Sequence, residues 1–407
     1  MQSLINPVRS YAWGSRSAIA ALLGQQVPAP HPEAELWMGA HPQAPSMLVD
    51  AAGERVSLLD VVRADAAGEL GADNAARWGD RLPFLLKVLA AEEPLSLQAH
   101  PSAEQAREGF AREEAAGIAL GAANRNYPDP AAKPELLCAL SEFHALAGFR
   151  EPASTVALLK SLVCADLVPY TELLAGQPDS AGLRALFTTW ITLPQSSIKG
   201  LLPKVLDACV EHVKEHGAFD VECRTVLGLG ETYPHDPGVL AALLLNHVVL
   251  QPGEAIYLPA GNPHSYLHGT GIEVLANSDN VLRCGLTPKH VDVPELLRVL
   301  DFSAGDPVKT SGERTGDRLC VYRTPAEEFE LSIVDWLEGE PDTVSVTHSG
   351  PQIVLCLRGV VEVCSAGQRQ KLRRGESVWL SARDRGARLV PIGGEPSMVC
   401  RATAGTG

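Results

Sequence analysis

GEAIYLPAGNPH at residues 253–264 joins a short apolar run, a corner of proline and glycine, and a final histidine, His264. The run predicts a strand, and the corner turns the chain so that His264 points back into the interior of a β-barrel. GESVWLSARDRG at residues 375–386 has the same Gly-Glu start, an apolar run of equal length and an alanine at the same position, but Gly386 stands where the first has His264. We therefore expect two β-barrels of one architecture, with a metal ligand only in the first.

Upstream of this corner, LPFLLKVLAAEEPLSLQAH at residues 82–100 contains two strand-like runs separated by a turn at residues 92–94. A helix should follow at once, because Ser102 can cap its N-terminus and Gln105 can close a capping box. An alanine-rich stretch carries this predicted helix to about Leu120.

Between residues 152 and 217 the apolar residues recur three and four apart, which predicts a helical block inside a β-rich chain. Asp236 followed by Pro237 predicts one further helix through Leu245. The expected fold is mainly β with α insertions: two cupin-type β-barrel or jelly-roll domains plus a helical domain. The expected boundaries are 1–150 with 225–305 for the catalytic domain, 151–224 for the helical insertion and 306–407 for the C-terminal domain without metal ligands.

The final hundred residues alternate in the manner of a second β unit, with Phe329, Leu331 and Ile333 on one face. QIVLCLRGVVEV at residues 352–363 is interrupted by an Arg-Gly pair at 358–359. This pattern predicts a β-hairpin.

Composition restricts the classes of partner. The 407 residues carry 34 Lys plus Arg against 49 Asp plus Glu, a net charge of −15 that argues against general affinity for nucleic acid or anionic membranes. No stretch approaches the roughly 20 apolar residues of a membrane span, and the start lacks a secretory pattern, so a cytoplasmic protein is expected.

The nine cysteines lack CxxC spacing and are expected to be reduced. We expect a small-molecule partner and a monomer or weak oligomer.

Four residues have the chemistry and spacing of metal ligands. Gln98 and His100 are two apart, so a strand would present both on one face. His264 ends the corner of residues 253–264, which matches the cupin pattern Gly-x5-Pro-x-Gly-x2-His. Glu135 opens an apolar run, where a carboxylate needs a partner to offset its desolvation. Two histidines with one glutamate form a known catalytic zinc set. Taken singly, Gln98 and His100 could face solvent. His264 could likewise be an incidental residue of a corner that has only a structural role.

The segment IEVLANSDNVLRCGLTPKHVD at residues 272–292 places Glu273, Asp279, Arg283 and Lys289 in an otherwise apolar or small context. Charged residues in such a context suggest a lined cavity. An exposed loop with ordinary surface charges is the plainer alternative for any one of them.

These segments together resemble the type I mannose-6-phosphate isomerases, a zinc-dependent cupin family, over nearly the whole chain. The matching text comprises YAWGS (11–15), AELWMGAHPQAPS (34–46), LPFLLKVL (82–89), SLQAHPS (96–102), KPELLCAL (133–140), YLPAGNPHSYL (257–267) and SDNVLRCGLTPKHVD (278–292). The resemblance implies one zinc ion per chain, bound by Gln98, His100, Glu135 and His264, and an active-site arginine at Arg283. It also implies a central catalytic cupin, a helical domain and a second cupin-like domain.

Two positions depart from the family pattern. Ala132 stands where the family has a histidine sometimes considered for proton transfer, so that role must lie elsewhere. Gly261 replaces a frequent asparagine at the corner and brings it closer to the general cupin pattern.

The implied reaction interconverts mannose 6-phosphate and fructose 6-phosphate by proton transfer through an enediolate. Arg283 would stabilise the developing charge, since a guanidinium stays protonated at any working pH. The base is left open among Asp279, Glu273, Lys133 and a metal-bound water. For the substrate phosphate we expect Ser96, Lys87 and Lys289.

Two other classes of function remain as alternatives. A cupin oxygenase with iron is one, because two histidines and a carboxylate also suit ferrous iron. A non-catalytic sugar-binding bicupin is the other, although Arg283 and the lysines exceed what a carbohydrate binder needs.

Overall fold

The computed structural model describes residues 1–49, 53–316, 318–346 and 348–405. Its first part contains β1 (Gln2–Ile5), β2 (Val8–Arg9), α1 (Ala18–Leu22), β3 (Glu35–Gly39), β4 (Met47–Val49), β5 (Arg55–Ser57), α2 (Leu58–Ala64), α3 (Ala66–Leu70), α4 (Ala72–Trp78), β6 (Phe84–Ala91), β7 (Leu97–Ala99), α5 (Ala103–Ala115), β8 (Glu135–Ala139) and β9 (Phe143–Phe149). A helical block follows, with α6 (Pro152–Ser161), a 3-10 turn (Ala165–Leu167), α7 (Val168–Gly176), α8 (Ser180–Ile191), α9 (Gln195–Lys214), α10 (Asp220–Thr232) and α11 (Gly238–Ala242).

Strands then return. The next elements are β10 (Leu245–Leu250), β11 (Ala255–Leu258), β12 (His264–Ala276), β13 (Leu282–Gly285) and α12 (Val293–Val299). The last part contains β14 (Lys309–Thr310), β15 (Glu313–Thr315), β16 (Leu319–Tyr322), β17 (Glu330–Trp336), β18 (Val344–Ser345), β19 (Gln352–Arg358), β20 (Val360–Ser365), β21 (Gln368–Arg373), β22 (Ser377–Leu380), β23 (Arg388–Pro391) and β24 (Ser397–Thr403).

The long strand β12 joins the two layers of the first β-sandwich. Its beginning pairs with β9 and β7, in a layer ordered β10-β9-β12-β7-β13. From Gly269 onward it pairs with β6 and β8, in a layer ordered β14-β11-β8-β12-β6-β3-β2. Gly269 has a φ of +126°, and an added Cβ there would lie 2.7 Å from the Glu142 carbonyl oxygen, so the bend needs glycine. This sharp change of layer closes one end of the sandwich.

The C-terminal strands form the second sandwich. Within the described residues, one layer has nine strands in the order β15-β16-β17-β24-β19-β22-β1-β4-β5, and the other has the order β18-β23-β20-β21. Buried residues of both layers, among them Trp336, Val354, Val361 and Leu389, pack in one apolar core between them. A further cluster, including Leu86 and Trp379, packs the two sandwiches together.

Both sandwiches have one strand order. The series β11-β8-β12-β6-β3 of the first corresponds to β22-β19-β24-β17-β16 of the second, and β10-β9-β12-β7 corresponds to β21-β20-β23-β18. The strands β11 and β22 are those of the two related sequence segments. The prediction of one shared architecture is thus confirmed at the level of strand order.

The predicted hairpin at residues 352–363 is wrong. Both strands exist, as β19 and β20, but β19 pairs with β22 and β24 whereas β20 pairs with β21 and β23. Gly359, with a φ of +71°, turns the chain from one layer to the other. Alternation sets which face a residue occupies and does not choose the partner strand.

Other boundaries also differ. β1 and β4, expected in the catalytic domain, extend the C-terminal sheet, as Leu4 pairs with both Ser377 and Leu48. The expected boundary at 224 falls inside α10, because its apolar face continues the helical core. Helix α5 has the predicted capping box but ends at Ala115 rather than Leu120, followed by Gly117 at a φ of +71°.

Helix α11 stops at Ala242, and Leu245 already belongs to β10. All nine cysteines are free thiols, as expected. Among the described helices, none has both the length and the apolar character needed to cross a bilayer.

Candidate metal centre

Three predicted ligands meet at one end of the first sandwich. His100 directly follows β7, Glu135 opens β8 and His264 opens β12, and one ligand atom from each lies within 4.8 Å of the others. His100 Nε2 is 3.2 Å from Glu135 Oε1, and His264 Nε2 is 3.4 Å from Glu135 Oε2. Each of the three residues is 1% exposed.

Backbone carbonyls fix both imidazole rings. His100 Nδ1 lies 2.7 Å from the Asn280 carbonyl oxygen, and His264 Nδ1 lies 3.0 Å from that of Asn262. A carbonyl oxygen can only accept, so each Nδ1 carries the proton and donates it. This leaves the Nε2 atom of each ring directed at Glu135, which is the arrangement that metal-binding histidines adopt.

The charges of the centre favour a cation. Burial alone would raise the pKa of Glu135, but the Lys133 ammonium 3.1 Å away and the neighbouring His100 hold it well below its usual range. Burial, together with the charge of Lys133, lowers the pKa of His100 to about 4. At neutral pH the centre thus combines a carboxylate with a neutral His100 imidazole.

Buried acceptor atoms without donors show whether a metal ion fits between His100 and Glu135. His100 Nε2 and Glu135 Oε2 are buried and have no hydrogen-bond partner among the described residues. The lone pair of His100 Nε2 also faces Glu135 Oε1 at 3.2 Å without a proton between them. Such lone pairs repel, and a bound cation removes that cost. The donor set of two imidazole nitrogens and a carboxylate is one that zinc accepts.

Gln98, the fourth predicted ligand, contacts His264. Its side-chain nitrogen lies 3.3 Å from His264 Nε2. The nitrogen and oxygen of an amide exchange places by a half-turn of the group, so the same position can present an oxygen ligand. The structure therefore brings all four predicted ligands together.

A cavity of about 510 Å³ opens beside the centre and is lined by Gln98 and Glu135. It also gathers every other residue singled out from the sequence: Lys87, Ser96, Lys133, Glu273, Asp279, Arg283 and Lys289. The four charged residues singled out in the segment at 272–292 thus line a cavity, although residues 288–290 are exposed.

Lys87 and Glu273 form a buried ion pair in the cavity wall. Lys87 Nζ lies 2.9 Å from Glu273 Oε2 and 3.4 Å from Glu35 Oε1. Burial raises the pKa of Glu273, although Lys87 opposes this. Two carboxylates already neutralise the Lys87 ammonium, so Lys87 offers less free charge to a phosphate than an unpaired cation would.

Asp279 has a different environment from Glu273. Its Oδ1 lies 3.3 Å from His41 Nε2, and its Oδ2 accepts a hydrogen bond of 2.9 Å from Gln43. Burial alone would raise the pKa of Asp279, but the contact with His41 and the charge of Lys133 lower it. Asp279 is therefore the weaker base of the two.

Arg283 and Lys289 supply positive charge that is not neutralised. Arg283 on β13 is directly paired with Gln98 on β7, which places it beside the metal centre. Burial lowers the pKa of Lys289, as does the charge of nearby Arg283. Within the described ranges neither makes an ion pair with a carboxylate. Two such cations at one cavity wall suit a dianionic group.

The sequence reasoning missed several cavity residues. Glu35, Trp37 and His41 lie on or just after β3, and Trp37 Nε1 donates to Glu35 Oε2 at 2.8 Å. Alternation along β3 places Glu35 and Trp37 on one face. A charged residue on that face of an apolar strand could have indicated that Glu35 lines a cavity. Tyr11 and Trp13 stack at the cavity mouth with ring centroids 5.5 Å apart.

Comparisons with known proteins agree with this geometry. Residues 1–152 match the family model of the catalytic domain of type I phosphomannose isomerase. The chain is 40% identical over 389 residues to mannose-6-phosphate isomerase of Escherichia coli (strain K12), covering 94% of this chain and 95% of that protein. A crystal structure of a mutant phosphomannose isomerase from Salmonella typhimurium has a TM-score of 0.89 at 36% identity, covering 99% of each chain. A zinc-bound mannose 6-phosphate isomerase structure has a TM-score of 0.87 at 36% identity, again covering 99% of each chain.

Proposed function

This chain belongs to the mannose-6-phosphate isomerase family, and on that premise we propose that its His100–Glu135–His264 centre is where mannose 6-phosphate and fructose 6-phosphate are interconverted. It is a zinc-dependent aldose-ketose isomerase. The observation that supports this location is that two imidazole nitrogens and one carboxylate face one another beside a cavity. In that cavity two cations lack an ion pair within the described residues.

The reaction moves one proton between neighbouring carbons. A base removes the proton from C2 of the open aldose, and negative charge develops on the carbonyl oxygen at C1. The proton is then returned to C1, while the proton of the C2 hydroxyl passes to the C1 oxygen, so that C1 becomes an alcohol and C2 a ketone. When bound, zinc supplies a Lewis acid that lowers the energy of charge on substrate oxygen. The chain must add a base, a cation near that oxygen and a binding site for phosphate.

We assign the metal ligands to His100, Glu135 and His264, with Gln98 as a neutral oxygen ligand. Lys133 contacts Glu135 and keeps it ionised. The carbonyl partners of the two imidazoles hold the rings in ligating orientation. The set leaves positive charge on a metal, because only one of its four members is anionic.

The phosphate site is assigned to Lys289 with Ser96, next to Arg283. Arg283 lies opposite Gln98 across the strand pair, so it reaches the reacting end, whereas Lys289 lies six residues further along the cavity wall. A guanidinium beside the reacting oxygens stabilises the enediolate as charge develops. The lysine and the hydroxyl then hold the other end of the substrate.

Glu273 is the best supported base among the four candidates. Burial raises its pKa, which brings the carboxylate closer to the strength that proton abstraction at neutral pH requires. Asp279 has a lowered pKa and is held by His41 and Gln43. Lys133 is engaged with Glu135. This assignment also provides a base for a chain that has Ala132 where the family has a histidine.

We also propose a finer domain architecture for this chain. The repeated strand order and the corner at residues 253–264 support two cupin-type jelly-roll domains flanking a helical domain. We propose a catalytic domain, a helical insertion from 151 and a C-terminal domain from about 306, in a chain that acts in the cytoplasm as a monomer or weak oligomer.

A coupled assay tests the proposed function. Fructose 6-phosphate formation from mannose 6-phosphate is measured on purified protein, after chelation and after zinc is added back. Activity that the chelator removes and zinc restores is expected. Oxygen uptake with iron and no isomerisation would favour a cupin oxygenase, and sugar-phosphate binding without turnover in any metal state would favour a non-catalytic bicupin.

A further inference from the structure

The second sandwich has polar residues at the positions that form the catalytic centre in the first. Glu135 is directly paired with Leu258, and Gln352 is directly paired with Leu380. Leu258 and Leu380 are the sixth residues of the two related segments at 253–264 and 375–386. Gln352 therefore occupies the position of the metal-site carboxylate.

The same register extends across two more strands. Glu135 is paired with Leu275, and Gln352 with Thr403, so Arg401 corresponds to Glu273 two residues earlier on the same strand. Ser332 pairs with Arg401 as Lys87 pairs with Glu273. In the first sandwich the three positions hold Glu135, Glu273 and Lys87, with a formal charge of −1. In the second they hold Gln352, Arg401 and Ser332, with a formal charge of +1.

Arg401 is a buried cation with incomplete partners. It is 5% exposed, and its Nε donates to Gln352 Oε1 at 2.7 Å. Among the described residues, its Nη2 has no hydrogen-bond partner and no carboxylate lies within ion-pair distance of it. A buried guanidinium without a counter-charge is destabilised by desolvation, so this arrangement favours a compensating anion.

Three further polar groups on the same face as Arg401 also have no hydrogen-bond partner in the part of the chain that the structure describes. They are Gln352 Nε2, Ser332 Oγ and Thr403 Oγ1, and each belongs to a residue that is 1% exposed. All lie on the face of β17, β24 and β19 that bears Val354, which packs in the core between the two layers. An amide N–H and two hydroxyls can all donate, so the group offers donors around one positive charge.

The surrounding groups do not neutralise this charge. Glu330 on β17 faces Thr403 and favours the charged form of Arg401, but its carboxylate lies 3.3 Å from Arg323. The His348 ring is held between the Gly350 N–H and the Ala404 carbonyl oxygen, and burial and Arg401 lower its pKa. Burial lowers the pKa of Arg401 to about 10, so it remains protonated near neutral pH.

We propose that the second sandwich contains a buried site for one small monovalent anion of the halide class, bound by Arg401, Gln352, Ser332 and Thr403. A single negative charge balances the single guanidinium, whereas a dianion would lack a second cation. Full burial of the four groups favours an ion of about the size of a water molecule over a sugar phosphate. The site is independent of the isomerase activity proposed for the other sandwich.

Thermal unfolding in chloride or bromide, against gluconate at constant ionic strength, tests the site on the full-length protein. Binding to the folded state alone should raise Tm with the logarithm of halide concentration above the Kd, by about 2–4 °C at roughly five times the Kd. Gln352→Glu places a carboxylate beside Arg401 and should abolish this halide response while keeping isomerase activity. The control Arg369→Gln changes an exposed arginine of the same sandwich, whose side chain is 75% exposed, and should keep the response.

Crystals of the wild-type protein grown in bromide give an answer that does not depend on any variant folding. Anomalous density beside Arg401 Nη2 is expected. Absence of that density at saturating bromide, or a halide response that Gln352→Glu leaves unchanged, would overturn the proposal, and water would then be the partner of these donors.

Discussion

The first and second sandwiches have the same strand order, yet three corresponding interior positions carry opposite net charge. In the first, Glu135 and Glu273 lie on paired strands beside two histidines. In the second, Gln352 and Arg401 take their positions, and Gly386 takes that of His264 in the related segment. The difference teaches that the architecture supplies inward-facing positions, and that the few residues placed there decide whether a metal can bind.

The most severe test of this comparison replaces Glu135 of the first sandwich with glutamine, the residue at the corresponding position 352 of the second. Glu135→Gln removes the only anion among the four proposed ligands, and loss of the several kcal/mol that a metal supplies predicts a fall in kcat/KM of about 10³-fold or more. Zinc content and isomerase rate are measured together. Glu338→Gln is the matched control, because it makes the same change at an exposed turn of the second sandwich and should alter neither quantity.

Retention of both zinc and activity by the Glu135→Gln protein would show that the carboxylate does not hold the metal. Loss of activity with full zinc content would instead place Glu135 in the chemistry and not in metal binding.

A second test uses acid stability of the metal-free protein. The pKa of His100 is lowered to about 4 from an ordinary value near 6.5, so below about pH 6.5 the unfolded chain binds a proton that the folded chain does not. Stability should fall between about pH 6.5 and 4, by on the order of 3 kcal/mol for this residue. Arg401 in the second sandwich does not titrate in that range.

Denaturant unfolding at several pH values measures this effect. His100→Gln removes the titrating group and should flatten the dependence in that window. Equal slopes for the variant and the wild-type protein would contradict the assignment of the effect to His100.

The comparison also shows what the sequence could and could not predict. His264 was predictable because its corner is a local pattern, and Gln98 with His100 because alternation sets their common face. Glu35 was missed because its partner, Lys87, is brought to it by the pairing of β3 with β6. Gln352 and Arg401 could not be related to Glu135 and Glu273 until the strand pairs were known. The wrong prediction of a hairpin at 352–363 has the same cause, since alternation does not specify which strand is the partner.

A third test separates the two carboxylates of the cavity. Glu273→Gln should lower kcat by about 10²-fold or more if Glu273 is the base, with little change in zinc content. Asp279→Asn is the matched control, because Asp279 lies in the same cavity but has a lowered pKa. A larger loss for Asp279→Asn would transfer the role of base to that residue.

The smallest expected effect concerns the phosphate end of the substrate. Lys289→Ala removes a cation that no carboxylate neutralises within the described residues, and loss of one charged hydrogen bond, about 1.5–3 kcal/mol, predicts a KM raised about tenfold or more with kcat nearly unchanged. Lys371→Ala, an exposed lysine on β21 of the second sandwich, is the control and should leave KM unaltered. An unchanged KM for Lys289→Ala would remove this lysine from the phosphate site. The cation that binds phosphate would then be Arg283, the other unneutralised charge of the same wall, and the substrate would lie with its phosphate against β13.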